Sequence, residues 1–306
     1  MTSTDTSSTR DANAPLVGIA LVILGVSLGA VNGAIFKALT PLLPEVMITF
    51  GRYVVYLAIM LPVALWRRGT LVFWPPRPGL QIARGVIQCL GTLAFVAAAV
   101  GMPVADAIAL LYVYPFLVTA LAPFALSEKV PAIAWVGVAG GFLGVLIIMK
   151  PGFDGVNLYA LWAVLCGCCV AVQLVISRKL APVSGVITTS TFGALVGTIV
   201  LGLLAPFFWQ EVSFQAVVLL LVLGGVTALN QSVLLAAFAR AEASTLAPFG
   251  YFEIVAAVIV GFLWFGDFPD AVAWTGIAII IVSGLMVARS QATARSLIGR
   301  RRGRPV

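Results

Sequence analysis

Ten stretches of this chain are each long and apolar enough to cross a lipid bilayer, and little lies between them. They run 15–38, 46–66, 79–101, 103–126, 131–150, 156–178, 184–206, 213–238, 243–265 and 270–288. A helix needs about 20 mostly apolar residues to cross a hydrocarbon core about 30 Å thick. Inside lipid its backbone N–H and C=O groups must also find partners within the segment. Hydrophobic residues make up 61% of the 306 residues and charged ones 9%. A soluble domain of this size keeps about a quarter of its residues charged, so a soluble fold is excluded. The short connections leave no room for a domain outside the bilayer. The expected fold is an all-α integral membrane protein with ten transmembrane helices.

The first stretch is too long for a signal-peptide h-region, and nine more follow it. Residues 1–14 are rich in Ser and Thr and are expected to form a disordered tail. Residues 289–306, with Arg289, Arg295, Arg300, Arg301, Arg302 and Arg304, are expected to be a second, basic and disordered tail. Beside a last span, an anionic lipid surface rather than nucleic acid is the partner for such a tail.

Charge placement sets the expected orientation. With a cytoplasmic N-terminus, the tails and the connections holding Arg67, Arg68, Arg77, Arg84, Lys129, Arg178, Lys179 and Arg240 fall on the cytoplasmic side. Of the 18 Lys and Arg, only Lys37, Arg52 and Lys150 are left toward the other face. The positive-inside rule therefore expects both termini in the cytoplasm and a multi-pass protein of the cytoplasmic (inner) membrane. The four cysteines all fall within spans: Cys89 in the third, and Cys166, Cys168 and Cys169 in the sixth. With no histidine in the chain and no acid nearby, they read as small packing residues, not as a metal site or a disulfide.

The chain also matches itself at an offset of 139 residues. Ala97-Ala98 corresponds to Ala236-Ala237, Tyr112 to Tyr251, Glu128 to Asp267 and Trp135 to Trp274. Nearer the start of each half the offset is 141, placing Asn32 on Gln173, Lys37 on Arg178 and Pro41 on Pro182. Residues 15–150 and 156–288 thus read as two five-helix repeats. An odd number of spans per copy inverts one copy against the other, the arrangement of many carriers.

At these residues the chain resembles the drug/metabolite transporter superfamily, in particular its EamA-type ten-helix members. Phe50-Gly51-Arg52-Tyr53 opens the second span, and Ser127-Glu128-Lys129-Val130-Pro131 precedes Trp135-Val136-Gly137. Phe265-Gly266-Asp267 precedes Trp274-Thr275-Gly276 and Ser283-Gly284-Leu285. Asp267 departs from the commoner Glu but keeps the charge. The resemblance implies a central cavity lined mainly by spans one, three, four, six, eight and nine, and it leaves the substrate open.

Polar groups at membrane depth are costly unless paired or wetted, so each is a candidate for function. Glu253 lies ten residues into the ninth span, about 15 Å along a helix, near the midplane. It reads as a counter-ion for a cationic substrate group, as a proton acceptor, or as a structural carboxyl. Tyr114 is its counterpart in the fourth span, with Tyr112 and Tyr251 at the same depth. These phenols either bind an aromatic or cationic ligand or pack with their hydroxyls on carbonyls. Pro115 frees the carbonyl of Leu111 and Pro248 that of Ser244, so both prolines are hinge candidates. Gln88 is expected to touch substrate, while Asn32, Gln173, Asn230 and Gln231 are polar cavity groups or helix ties. Lys37 and Arg52, with Glu45 and Asp106, are expected to cluster at the outer mouth as a gate or as snorkelling ion pairs. Gly137, Gly140, Gly141 and Gly144 give the fifth span a small-residue face, for its own bundle or for a second copy. Monomer and homodimer stay open.

No G-x-x-x-x-G-K-[ST] motif is present, so the chain itself hydrolyses no nucleotide. The expected function is a secondary transporter for a small organic metabolite, amino-acid-like, vitamin-like or cationic and aromatic, working by alternating access with possible proton coupling and no cofactor. The alternative is an integral membrane enzyme acting on a lipid or isoprenoid. Such an enzyme calls for clustered acids or histidines with a metal at a membrane face, and no such cluster is present.

Overall fold

The computed structural model describes residues 14–125, 130–149, 157–238, 240 and 243–302, and all its regular structure is helical. The helices are α1 (Ala14–Leu39), α2 (Glu45–Arg68), α3 (Pro78–Gly101), α4 (Val104–Leu111), α5 (Tyr114–Ala125), α6 (Ala132–Met149), α7 (Leu158–Leu180), α8 (Val186–Leu204), α9 (Phe214–Phe238), α10 (Ala243–Gly250), α11 (Phe252–Phe265) and α12 (Ala271–Arg302). They make 10 segments long and apolar enough to cross a membrane, because α4 with α5, and α10 with α11, each act as one span. This is a multi-pass membrane protein.

Local chemistry marks several boundaries. Pro78 occupies the first position of α3, where a missing N–H costs nothing. The Asn157 side chain caps α7 by accepting from the Tyr159 N–H at 2.9 Å. Gly266 ends α11 with φ of 70°, a conformation that suits glycine. The last helix departs from expectation: α12 runs on through Arg302, so residues 289–302 are helical rather than disordered. Arg and Ala, both good helix formers, supply half of this extension, and the preceding span removes the cost of nucleating it. The first 13 residues lie outside the described ones.

The most extensive helix pairs are α6 with α12, α3 with α7, and α1 with α9. Between apolar helices in lipid no hydrophobic force acts, so close backbone approach and dispersion must supply the attraction. The α6–α12 pair shows how. A Cβ added at Gly144 would lie 2.9 Å from the Gly276 carbonyl, and one at Gly276 would lie 2.8 Å from the Gly144 carbonyl. Gly137 meets the Ser283 carbonyl and Gly140 the Ser283 hydroxyl, while Gly141 points elsewhere and receives the Phe116 ring of α5. The small-residue face of the fifth span is therefore used within the chain.

Candidate functional site

The fourth and ninth spans are each interrupted at a tyrosine. α4 tightens into i→i+3 bonds at its end (Tyr112 N to Ala109 O, 3.2 Å; Val113 N to Leu110 O, 3.1 Å), and α5 starts at Tyr114 with Pro115 as its second residue. Pro115 has no N–H for the Leu111 carbonyl, and that carbonyl instead faces Gly167 of α7, where an added Cβ would come within 2.8 Å of it. In the other broken span Pro248 sits inside α10, and the break follows three residues later at Tyr251. Tyr112 (φ −66°, ψ 9°) and Tyr251 (φ −66°, ψ −12°) share nearly one backbone conformation.

The breaks bring three phenols together. The ring centroids of Tyr112 and Tyr251 are 5.1 Å apart, and those of Tyr112 and Tyr114 are 5.4 Å apart. In an unbroken helix, residues two apart point away from each other. The interruption at 112–113 lets both rings lie on one side. Tyr112 is buried at 2% exposure, and its hydroxyl lies against two acceptors. These are the Gly250 carbonyl, at the end of α10, and Glu253 Oε2 at 2.9 Å, in the first turn of α11. Expectation paired Glu253 with Tyr114; the structure places the Tyr112 hydroxyl on the carboxylate, with the Tyr114 ring packed against that of Tyr112. The other carboxylate oxygen lies over Gly29 of α1, where any side chain would strike it, and Asn230 of α9 borders the same spot.

Glu253 opens onto a cavity of about 240 Å³ between the helices. Four amide-bearing side chains line it, Asn32, Gln88, Gln173 and Gln231, together with the Phe36 and Phe95 rings and Cys166. The cavity also holds a cation, Arg52 of α2. Its Nη2 donates to Thr92 Oγ1 at 2.9 Å, and its guanidinium lies 4.5 Å from the Tyr53 ring centroid and 5.7 Å from that of Phe36. Span two thus joins the set of cavity helices that the resemblance implied. The three tyrosines are not among the lining residues; Tyr112 meets the cavity through its bond to Glu253. Asn32 also lies 3.3 Å from the Thr227 hydroxyl, tying α1 to α9.

The two cations of the expected group of Lys37, Arg52, Glu45 and Asp106 have different partners. Lys37 pairs with Asp267, in the connection before α12, and lies 4.9 Å from the Phe265 ring centroid. Arg52 turns into the cavity, whereas Glu45 and Asp106 occupy the first turns of α2 and α4. There the helix dipole favours an acid.

Arg84, Gln81 and Thr92 escaped the sequence reading. Arg84, counted as a flanking cation, is buried at 8% exposure beside Gln81 at 0%. Its Nε donates to Ser177 Oγ at 2.8 Å, and its Nη1 lies 3.2 Å from the Thr189 carbonyl and 3.4 Å from Gln88 Oε1. Spacing along α3 held a signal: Gln81, Arg84, Gln88 and Thr92 fall on one helix face.

Known proteins resemble this chain over most of its length. The family model described as "EamA-like transporter family" matches residues 16–150 and 157–289. The S-adenosylmethionine uptake transporter of Rickettsia conorii is 29% identical over 91% of this chain and 95% of its own length. A riboflavin transporter of Rhizobium johnstonii is 30% identical, covering 89% of this chain and 90% of that protein. A pseudopaline exporter of Pseudomonas aeruginosa is 28% identical over 90% and 96%. One solved crystal structure shares the fold with a TM-score of 0.60 over 90% of this chain and 97% of the other, at 20% identity.

Proposed function

Because this chain belongs to the EamA-like transporter family, we propose that it is a secondary carrier, not an enzyme, which binds its substrate in the cavity between Arg52 and Glu253 and works by alternating access. The family and its named relatives support transport of a small metabolite. The positive-inside pattern supports the cytoplasmic membrane with both termini in the cytoplasm. On that orientation the Lys37–Asp267 pair lies at the outer face, and Arg84 lies on the cytoplasmic side of the cavity.

One observation carries the mechanism: the Tyr112 hydroxyl has one proton and two acceptors. When Glu253 is ionised, its carboxylate competes with the Gly250 carbonyl for that proton. When Glu253 is protonated, it donates to the phenol oxygen, and the phenol donates to Gly250. A cationic substrate group satisfies the carboxylate in place of the proton. Loading Glu253 thus sets the hydrogen bond at the end of α10, next to the break at Tyr251. A ligand shifts a conformational equilibrium only through contacts that differ between its states, and this is such a contact. Arg52, Gln88 and the remaining amides orient the rest of the molecule, and Pro115 and Pro248 serve the two hinges.

The amine of an amino-acid-like metabolite suits Glu253, and the Phe36 and Phe95 rings suit a flat group. Uptake of radiolabelled S-adenosylmethionine and of riboflavin into proteoliposomes, with and without a pH gradient, tests the proposal. At least one compound is expected to accumulate at a rate whose dependence on the pH gradient is lost in Glu253→Gln, which still transports, but more slowly. Unchanged rate and pH profile in Glu253→Gln remove that residue from the mechanism.

A further inference from the structure

A guanidinium at 8% exposure in a membrane protein is ordinarily matched by an acid, since burying an unpaired charge costs several kcal/mol. Arg84 departs from this. Among the described residues its hydrogen-bond partners are a hydroxyl, an amide oxygen and a backbone carbonyl, all neutral. Their arrangement is specific. Gly193 of α8 leaves room for the head group: an added Cβ there would lie 2.9 Å from Arg84 Nη1 and 3.2 Å from Gln88 Oε1. The Ser177 hydroxyl accepts from Arg84 and donates to the carbonyl of Gln173 at 2.7 Å. Gln88 and Gln173 both line the cavity, so Arg84 is one side chain removed from it.

The same face of α3 continues to the second guanidinium. Arg84 reaches Gln88, Thr92 donates to the Gln88 carbonyl at 3.0 Å, and Arg52 donates to Thr92. Arg84 and Thr92 are eight residues apart, about 12 Å along the helix. A polar track with a guanidinium at each end therefore runs beside the cavity. Below Arg84, Gln81 Nε2 lies 3.1 Å from Ser184 Oγ and 3.4 Å from Thr189 Oγ1, joining α3 to α8 and the segment before it.

We propose that Arg84 is a second anion site, which takes over the carboxylate of the substrate from Arg52 as the molecule passes between the cavity and the face closed by α3, α7 and α8. The cation is held by neutral groups in this conformation because its acid arrives with the cargo. This rests on the cavity being the substrate site and extends it to a substrate class: metabolites carrying a carboxylate as well as a cationic group. A guanidinium and carboxylate form paired, charge-assisted hydrogen bonds that neutral acceptors cannot equal.

The test has two arms. In proteoliposomes, S-adenosylmethionine is compared with its decarboxylated form, which keeps the amine, sulfonium and adenosine. Arg84→Gln is expected to slow the first by about tenfold or more, the effect of losing one charged hydrogen bond, and to leave the second nearly unchanged. Arg84→Lys, which keeps the charge, is expected to retain most of the preference, and size-exclusion monodispersity checks that each variant folds. Equal slowing of both probes, or of neither, overturns the proposal. The second arm uses no candidate substrate: acetate, against chloride at equal ionic strength, is expected to raise the melting temperature of the wild type more than that of Arg84→Gln. Equal shifts overturn the proposal as well. If the wild type moves neither probe, the substrate assignment above fails while the acetate comparison still decides the role of Arg84.

Discussion

Removing one oxygen atom from Tyr112 tests whether Glu253 and the α10 terminus are coupled. Tyr112→Phe keeps the ring in its contacts with Tyr114 and Tyr251 but deletes the hydroxyl that touches both Gly250 and Glu253. A hydrogen bond to a charged group contributes about 1.5–3 kcal/mol and one between neutral groups about 0.5–1.5 kcal/mol, so the charge accounts for about 1–1.5 kcal/mol. Glu253→Gln keeps an acceptor of the same shape and loses only that part. A double-mutant cycle isolates it. Tyr112→Phe is expected to slow transport about 5- to 12-fold more in the wild-type background than in Glu253→Gln, the ratio corresponding to that energy. Initial uptake rates in proteoliposomes give the four corners of the cycle. The same cycle read in thermal unfolding of the purified proteins needs no turnover. Equal factors in both backgrounds would refute the coupling, leaving Tyr112 a packing residue whose proximity to Glu253 has no consequence.

Two glycines are expected to behave in opposite ways. Gly29→Ala places a methyl against the Glu253 carboxylate while improving the helix propensity of α1, so transport should fall about tenfold with little change in melting temperature. Gly141→Ala drives a methyl into the ring of Phe116, which is fully buried, and should cost about 1–3 kcal/mol of stability, seen as a lower melting temperature whether or not ligand is present.

The spans could be read from the sequence because lipid imposes a length and a polarity on each of them separately. Glu253 was legible for the same reason: an acid ten residues into an apolar run has to be explained. The breaks were only half legible. Pro115 and Pro248 announced bends, but the first break falls before its proline and the second after its own, each at a tyrosine packed against the other. Arg84 was misjudged because cations near span ends usually reach the interface. Its burial depends on Gly193 and Ser177, more than ninety residues away. The different partners of Lys37 and Arg52 likewise follow from the helices around each side chain. Depth in the membrane can be counted along a chain; lateral neighbours cannot.

The contact between α6 and α12 bears on how such a chain can change over generations. With Gly144 and Gly276 each pressed on the other's carbonyl, almost any mutation at either position levers two helices apart. The amides and rings of the cavity walls are more permissive, since a change there meets cavity space and not a neighbouring backbone. A lineage can therefore explore new cargoes through α1, α3, α7 and α9 while the α6–α12 seam resists drift. Directed evolution toward a new substrate would do best by randomising the cavity walls and leaving that seam untouched.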